Sequence, residues 1–235
     1  MIPAGAFAVV ALFFALLVAG SAWMYWRYVW FFRDPHRTPP DDAGILSPAD
    51  GTVVYVRHVP MGEDVVVIKR GVAATVHDLV RQDAEGAKLV IGVFMSPFDV
   101  HYNRAPISGR VQFVRHYGAR SRNLHMGLMH ARILLKHPPL YAGSMHIVEN
   151  ERTVTCFDGE YAGRALKAYV IQIGARTVNG IESYFKPGQS VPRGETFGMI
   201  RVGSQVDLVL PWRDGFATQV VPGDRVRAGE TILVR

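Results

Sequence analysis

The sequence contains a single cysteine, Cys156, among its 235 residues. One cysteine excludes an intrachain disulfide framework and leaves no second thiol with which to build a zinc knuckle. Cys156 is therefore expected to serve as a small buried apolar side chain. Two further absences narrow the function. The chain has no recognised DNA- or RNA-binding motif, and no Gly-x-Ser-x-Gly nucleophile elbow surrounds Ser204.

Charged side chains are missing from residues 2–26, and the first charge is Arg27. Because about 20 apolar residues suffice to cross the hydrocarbon core as a helix, this stretch is long enough to span a membrane. Aromatic and basic residues close it: Trp23, Tyr25, Trp26, Tyr28, Trp30, Arg33, His36 and Arg37. A cleaved signal peptide would carry its positive charge before the apolar stretch. We therefore predict a retained anchor over residues 1–32, with a shallow insertion as its variant.

The basic residues also predict an orientation and a partner. By the positive-inside tendency, the end of the anchor that carries them faces the cytoplasm, which places the downstream domain on the cytoplasmic side of the cell membrane. The formal net charge of +6 and the pI near 9.6 suit an anionic partner, either nucleic acid or an acidic membrane surface. Since no nucleic-acid motif accompanies the charge, lipid is the better explanation.

Residues 33–46 are polar and rich in proline, which predicts a linker that cannot continue the helix. Downstream, over residues 47–235, short apolar runs are separated by glycine, proline and aspartate turns, as in an all-β protein. The runs predict strands at 51–56, 64–69, 88–94, 109–114 and 168–173. Residues 75–80 fit either a strand or a short helical turn.

Two segments near the C-terminus, residues 190–197 and 224–232, share a valine, a basic residue, a small residue, Glu-Thr and an apolar residue in the same order. The pattern resembles the hairpin turns of biotinyl- and lipoyl-like barrel-sandwich folds, in which a buried valine precedes a turn. The expected fold is mainly β, a barrel-sandwich-hybrid-like domain preceded by an N-terminal membrane-associated helix.

The run from Met199 to Pro211 places Gly203-Ser204 inside a strand-like pattern, with apolar residues at Val202, Val206, Leu208 and Leu210. Glycine within such a run usually marks a bulge or a close backbone approach. On these residues alone, Ser204 is either ordinary strand filler or a nucleophile aimed at its own backbone.

Two other segments concentrate polar side chains. Asp50 lies in Ser47-Pro-Ala-Asp-Gly51, which is also a plain Asp-Gly turn signal. The proline-bounded loop that follows Met95 carries His101 together with Asp99, Asn103 and Arg104. Loops between stiff strands are where side chains converge on chemistry.

A third polar patch contains His125 and His130. Their spacing gives no recognised zinc-ligand signature, so we predict no metal site.

Taken together, five motifs resemble the short-form phosphatidylserine decarboxylases in order and approximate spacing. They are Phe31-Phe-Arg-Asp-Pro-His-Arg37, Ser47-Pro-Ala-Asp-Gly51, the loop from Phe94 to Pro106, Asn150-Glu-Arg152 and Val202-Gly-Ser204. The resemblance covers nearly the whole chain after the anchor.

The resemblance implies a self-processing enzyme. The Ser204 hydroxyl would attack the carbonyl of Gly203, and the chain would break into a β chain (1–203) and an α chain (204–235) that remain associated. The serine remnant would become a pyruvoyl group, with no pyridoxal phosphate and no metal. Through a Schiff base, this group would decarboxylate phosphatidylserine, an anionic serine phospholipid of the membrane, to phosphatidylethanolamine and carbon dioxide.

The resemblance carries over to individual residues unevenly. Asp50 matches the aspartate that orients the base during processing. His101 matches the first of two loop histidines in longer members, which is linked to decarboxylation, and Arg104 stands where the second would act as the processing base. Either His101 serves both steps, or His125 or His130 replaces the missing base. Arg104 would then grip the substrate phosphate or carboxylate, and Asn103 is a second candidate for substrate binding.

Alternatives from other classes remain open at this point. A non-enzymatic, membrane-tethered lipoyl-like β adaptor and a serine hydrolase acting on an external substrate both predict an intact chain. A decarboxylase of another serine-containing lipid would have much the same sequence. The sequence does not show whether the protein forms a homo-oligomer.

Overall fold

The computed structural model describes residues 4–81, 85–176, 180–201 and 203–235. The chain divides into two compact units, residues 1–35 and 36–235. The first unit consists of helix α1 (Ala4–Tyr28) and a short 3-10 turn, Trp30–Phe32. A span of 26 residues, Phe7–Phe32, is apolar and long enough to cross a membrane, with a mean hydropathy of 2.3. The described unit therefore offers one helix that could be a membrane anchor.

The second unit is built mainly from strands and short helices. Its elements are β1 (Ile45–Leu46), β2 (Gly51–Val59), β3 (Asp64–Lys69), β4 (Val72–Thr75), α2 (Val76–Val80), β5 (Lys88–Met95), β6 (Tyr102–Arg104), β7 (Gly109–Tyr117), α3 (Gly127–Leu134), α4 (His146–Glu149), β8 (Arg152–Tyr161), β9 (Arg164–Gly174), β10 (Ile181–Ser183), β11 (Ser190–Val191), β12 (Thr196–Ile200), β13 (Ser204–Pro211), β14 (Arg225–Val226) and β15 (Ile232–Val234). The prediction of a mainly β protein with an apolar N-terminal helix is confirmed.

One antiparallel sheet of eight strands dominates this unit, in the order β11-β7-β8-β9-β13-β5-β2-β14. Three small sheets accompany it, β10-β12-β6, β1-β15 and β3-β4. Strand β13 lies at the centre of the large sheet, where it pairs with β5 on one side and β9 on the other. A residue at the start of β13 is therefore held by two neighbouring strands.

The large sheet has an apolar cluster on each face. The inner-face cluster includes Val206 and Leu208 of β13 and is covered by β1, β12 and β15. The outer-face cluster includes Val209 and is covered by α2, α4 and the β3-β4 hairpin. Because side chains alternate along a strand, adjacent residues of β13 point into different clusters.

The two edges of the large sheet come together, so the sheet curls. Edge strands β11 and β14 each end in a turn, and Gly229 of one turn lies against Gly194 of the other. Both glycines have positive φ, +83° and +73° for Gly194 and Gly229. The predicted buried valines, Val191 and Val226, are each 2% exposed just before these turns.

The predicted strands are all present, and four of the five extend beyond the predicted runs. Residues 75–80, which the sequence left undecided, form α2 from Val76 onward. Thr75 caps it: its hydroxyl accepts from the Asp78 N–H, while the Asp78 carboxylate accepts from the Thr75 N–H. This capping box favours a helix over a longer strand.

The prediction of one continuous strand-like run from Met199 to Pro211 is wrong. Strand β12 ends at Ile200 and pairs in the three-stranded sheet, whereas β13 begins at Ser204 in the large sheet. The chain changes sheets between them, so Gly203 lies in a break between strands and not inside one. Val202 lies outside the described residues.

Candidate active site

Ser204 is the first residue of β13 and is fully buried. Its main chain is paired with Met95 of β5 and Gly174 of β9. Gly203 before it has a φ of +66°, a left-handed conformation that costs a residue with a Cβ about 1 kcal/mol or more. Among the described residues, an added Cβ would meet Ala175 alone, at an ordinary 3.9 Å, so space is not the constraint there. Glycine also leaves its own carbonyl open to approach.

The Ser204 hydroxyl donates to the sulfur of Met95, with an Oγ–Sδ distance of 3.2 Å. A thioether is a weak acceptor, so this contact holds the hydroxyl loosely. The Asn103 amide nitrogen lies 3.8 Å from the same sulfur and 3.3 Å from the Pro48 carbonyl. Its amide oxygen accepts from Gln172 at 2.8 Å. Ser204, Asn103 and Gln172 are all completely buried, and they bring polar groups to the part of the inner-face cluster that contains Met95.

His101 is fully buried immediately before β6. Residues 101 and 103 alternate with Tyr102, so both side chains lie on the same side of this segment. The carbonyl of His101 accepts from the Ile200 N–H, which places it against the end of β12, four residues before Ser204. His101 thus belongs to the same corner of the molecule as the inner-face cluster.

The His101 ring is oriented by the main chain of Asp99, whose carbonyl oxygen lies 2.9 Å from Nδ1. A carbonyl oxygen only accepts, so Nδ1 carries the proton in the neutral ring and Nε2 carries the lone pair. The Asp99 carboxylate is itself fixed by an ion pair with Arg225 and by the Ser96 N–H at 2.8 Å. Sequence reasoning noted Asp99 but missed this positioning role.

Asp50 is buried beside this region, with both carboxylate oxygens engaged. Oδ2 accepts from Arg37 at 2.8 Å, and Oδ1 accepts from the Ala228 N–H at 2.7 Å. Burial raises the pKa of the Asp50 carboxyl above its ordinary value, the Ala228 N–H and Arg37 oppose the rise, and the charge of Asp99 adds to it. Arg37 also pairs with Glu230 at 2.8 Å. The motif that ends at Arg37 is thus linked both to the motif that contains Asp50 and to the C-terminal turn.

Arg104 is directed elsewhere. Its guanidinium donates to the Gly194 carbonyl at 3.1 Å, and its side chain packs beside Gly229. Arg104 alternates with Asn103 along β6, so its side chain leaves the strand on the opposite side. The structure therefore brings Asn103, and not Arg104, to the inner-face cluster.

The other two candidate bases lie apart from Ser204. His125 is exposed, and the half-buried His130 of α3 packs on the ring of Phe94 with a centroid distance of 5.7 Å. Phe94 belongs to the outer-face cluster, whereas its neighbour Met95 belongs to the inner one. His130 is therefore on the far side of β5 from the serine hydroxyl, and the arrangement favours His101 as the base.

Gln205 follows Ser204 in β13, and its side chain lies on the outer face, where it belongs to a hydrogen-bond network that the sequence did not predict. Its amide oxygen accepts from His146 at 3.0 Å, and its amide nitrogen donates to the Tyr55 hydroxyl at 2.9 Å and to Asp207 at 2.7 Å. Burial raises the pKa of the Tyr55 hydroxyl, and the neighbouring Asp207 carboxylate adds to the rise. These four side chains, which we call the outer-face network, are all buried.

Burial shifts the titration of this network strongly. It raises the pKa of the Asp207 carboxyl to about 6, against bonds from Gln205 and Tyr55 and the charge of Arg152. It lowers the pKa of His146 to about 4, with the Gln205 bond opposing and Arg152 adding to the fall. Desolvation disfavours the charged form of each group, which explains the opposite directions. At neutral pH His146 is therefore uncharged.

The motif Asn150-Glu-Arg152 supports the same strands. The Asn150 amide donates to the Gly174 carbonyl at 2.7 Å and to the Leu124 carbonyl at 2.9 Å, and it accepts from the Leu124 N–H at 2.8 Å. Gly174 is the residue paired with Ser204 in β9. The fully buried Arg152 donates to main-chain carbonyls of Asp78, Ile147 and Asn150. This motif fixes backbone next to the site.

The arrangement suits attack by Ser204 on its own backbone better than attack on an external substrate. The hydroxyl is completely buried and directly follows an open glycine carbonyl. Among the residues that the structure describes, no group of three or more His, Cys, Asp or Glu side chains is placed to hold a metal ion. The fold and site thus define a mainly β protein with a buried serine at the start of its central strand.

Comparison with known proteins identifies the family of the chain. The family model for phosphatidylserine decarboxylase matches residues 24–234. The putative archaetidylserine decarboxylase proenzyme of Methanothermobacter thermautotrophicus is 36% identical over 209 residues, which cover 87% of this chain and 78% of that protein. The phosphatidylserine decarboxylase proenzyme of Chlorobium luteolum is 32% identical and covers 99% and 92%. That of Thermobifida fusca is 35% identical and covers 93% and 75%. The chain belongs to the phosphatidylserine decarboxylase family.

Proposed function

We propose that this protein cleaves itself between Gly203 and Ser204 and then decarboxylates phosphatidylserine to phosphatidylethanolamine and carbon dioxide. The observation that carries the proposal is the buried, loosely held Ser204 hydroxyl at the start of the central strand, directly after a glycine with positive φ. Family membership supports the reaction, and the naming of relatives as proenzymes supports processing.

In the cleavage, Ser204 Oγ bonds to the carbonyl carbon of Gly203 as the Gly203–Ser204 C–N bond breaks, which leaves an ester. Loss of the Ser204 Cα proton then expels the Gly203 carboxylate. Water replaces the nitrogen of residue 204, ammonia leaves, and a pyruvoyl carbonyl remains. The products are a β chain (1–203) and an α chain (204–235).

His101 is the proposed base for the serine proton. A hydroxyl is a weak nucleophile until a base takes its proton. The Asp99 carbonyl sets the ring so that Nε2 is the nitrogen able to accept. Asp50 is assigned a less direct role, because both of its carboxylate oxygens are already bonded, one to Arg37 and one to the Ala228 N–H. Its charge also interacts with the charge of Asp99. The alternatives are His125, which is exposed, and His130, which packs on the ring of Phe94.

The residues around Ser204 fit a pyruvoyl group. When formed, the group supplies a carbonyl that takes up the electrons released as carbon dioxide leaves. Asn103, held by Gln172, directs one amide hydrogen at the Met95 sulfur that also accepts from Ser204, and in the proposed reaction it would turn this hydrogen to an oxygen at residue 204. The buried surroundings exclude water from the reacting atoms. Arg104 would bind the substrate only if its hydrogen bond to the Gly194 carbonyl were broken.

Cleavage need not separate the two chains. Residues 204–211 form β13, which is paired along its length with β5 and over six residues with β9. The α chain would also keep β14 on β2 and β15 on β1. These bonds all lie outside the scissile peptide, so both chains would stay in one barrel-sandwich-hybrid-like domain.

The location follows from the first unit and the charge. We propose that residues 1–32 anchor the protein in the cell membrane, that residues 33–46 link the anchor to the catalytic domain, and that this domain faces the cytoplasm. The supporting observations are the 26-residue apolar span and the basic residues that follow it.

A related substrate is the second candidate. Three of the relatives are named as putative archaetidylserine decarboxylase proenzymes, at 36%, 33% and 34% identity. The same serine headgroup chemistry would apply to either lipid. Release of carbon dioxide from phosphatidylserine and archaetidylserine, presented in matched vesicles, separates the two.

Intact-mass spectrometry tests the proposal, with and without borohydride reduction, beside Ser204→Ala. We expect the wild type to appear as two chains that divide at Gly203, with a small chain that gains mass on reduction, and the variant as one chain without activity. An intact, folded wild-type chain would overturn self-processing and leave the β adaptor or a hydrolase as the function. Cleavage without carbon dioxide from either lipid would overturn the substrate instead.

A further inference from the structure

A cavity of about 800 Å³ lies on the outer face of the large sheet, between β2, the chain after α3, and residues 222–225. Its volume falls within the range of about 300–1,000 Å³ that is usual for small-molecule sites. The lining is largely apolar, with contributions from Val54, Val56, Ile133, Pro138, Leu140 and Tyr141. Such a cavity suits a hydrocarbon chain.

The charged residues that line the cavity are all basic: Arg57, Lys136 and Arg225. Arg57 donates to the hydroxyl of Tyr141 at 2.8 Å, which leaves its charge uncompensated by that bond. Lys136 is exposed. Arg225 is paired with Asp99 and contributes less net charge. None of the described residues that line the cavity is acidic, so the cavity complements an anion.

The surface beside the cavity is also suited to a membrane. Leu134 and Leu135, which lie between the cavity residues Ile133 and Lys136, are 71% and 78% exposed. Arg132 and Lys136 lie on the same segment as these leucines, and residues 123–148 contain no aspartate or glutamate. Exposed leucines amid basic residues favour contact with an anionic bilayer.

We propose that this cavity binds one acyl chain of an anionic phospholipid from the bilayer, with the phosphate beside Lys136 and Arg57. The site selects for the phosphate and the acyl chain and has no requirement for a serine amine. Three of its lining residues, Val54, Leu140 and Tyr141, pack with the outer-face cluster, whereas Ser204 Oγ contacts Met95 on the inner face. Arg225 connects the cavity to the candidate active site, because it pairs with Asp99, whose carbonyl orients the His101 ring.

The test uses the full chain carrying Ser204→Ala, so that no reactive carbonyl can form and the result is independent of the decarboxylation. The protein is placed in phosphatidylcholine nanodiscs with a trace of phosphatidylglycerol that bears a diazirine on one acyl chain. We expect photolabel on residues 133–141 and 54–57, and competition by unlabelled phosphatidylglycerol and phosphatidylserine within about threefold of each other.

Variants distinguish a built site from general adhesion. Lys136→Glu should weaken phosphatidylglycerol competition by about tenfold, whereas the same reversal at the exposed Arg164 of β9 should change it less than twofold. Leu140→Trp, which fills the cavity, should remove the label from residues 133–141. Labelling that phosphatidylcholine competes equally well, or equal weakening by Lys136→Glu and Arg164→Glu, would overturn the proposal. Competition by phosphatidylserine alone would also overturn it.

Discussion

Ser204 and Gln205 are neighbours in β13, yet the two faces of the sheet hold them very differently. The Ser204 hydroxyl donates to one thioether sulfur on the inner face. The Gln205 amide makes three hydrogen bonds to His146, Tyr55 and Asp207 on the outer face. The Ser204 side chain is thus held by one weak contact, while the next residue fixes the strand that carries it. In the proposed mechanism, the inner face supplies the reacting groups and the outer face holds them in position.

The largest effect is expected on the inner face, at His101. His101→Ala removes the proposed base, and general-base catalysis contributes about 10²–10⁴-fold to a rate. Self-cleavage, followed as the appearance of the small chain on a gel after synthesis, should slow by at least about 100-fold. His130→Ala is the matched control, because it removes a half-buried histidine from the other side of β5. Normal cleavage by His101→Ala would exclude His101 as the processing base.

Two groups of the outer-face network, Asp207 and His146, should make the free energy of unfolding depend on pH. The folded pKa of Asp207, about 6, exceeds its ordinary 3.8, so acidification from pH 6.5 to 4 stabilises the fold through this group. The folded pKa of His146, about 4, is below its ordinary 6.5, so the same acidification destabilises the fold. Each shift of roughly two units corresponds to about 3 kcal/mol, and the two contributions oppose each other.

Asp207→Asn removes one side of that balance. Relative to the parent, the variant should lose about 3 kcal/mol of unfolding free energy between pH 6.5 and pH 4. Urea unfolding in nonionic detergent measures this, in the Ser204→Ala background so that one continuous chain unfolds. Subtracting the parent curve cancels the titration of the other carboxylates. A difference that is constant across this pH range would contradict the assigned shifts.

Breaking the outer-face network without changing its charge should have a smaller effect. Tyr55→Phe removes the hydroxyl that accepts from the Gln205 amide. An unsatisfied buried polar group costs about 1–3 kcal/mol, so the unfolding free energy should fall by that amount. Tyr141→Phe removes an exposed hydroxyl that accepts from Arg57 and should cost less than about 0.5 kcal/mol. Equal losses in the two variants would argue against the network.

Local sequence patterns were enough to predict most of the large sheet. Residues 64–69 and 88–94 are short apolar runs bounded by turn residues, so strands β3 and β5 could be predicted from the local sequence. The end of a strand depends on its partners. The run from Met199 to Pro211 keeps the same spacing of apolar residues throughout. Its two halves nevertheless pair in different sheets, and the break at Gly203 could therefore not be predicted.

In the candidate site, the residues could be predicted from the sequence, but their contacts could not. Ser204, His101, Asp50 and Asn103 could be chosen by residue type and motif, and their assigned roles stay predictions. Their partners could not be chosen, because Met95 lies 109 residues from Ser204 and Tyr55 lies 150 residues from Gln205. Arg37 was part of a quoted motif, but its pairing with Asp50 became visible only in the fold. Contacts across a curled sheet leave no local signal.

The smallest effect is expected from Met95→Leu, which removes the sulfur that accepts from Ser204 and nearly conserves volume. Such a swap usually costs less than about 1.5 kcal/mol. Because the thioether is a weak acceptor, its loss should leave the serine able to reach its base, and self-cleavage should proceed within about threefold of the wild-type rate. The cleavage time course and urea unfolding of the Ser204→Ala form measure both quantities. If Met95→Leu instead slowed cleavage as strongly as His101→Ala, the sulfur would be positioning the hydroxyl. Tight positioning would then be required on both faces of β13.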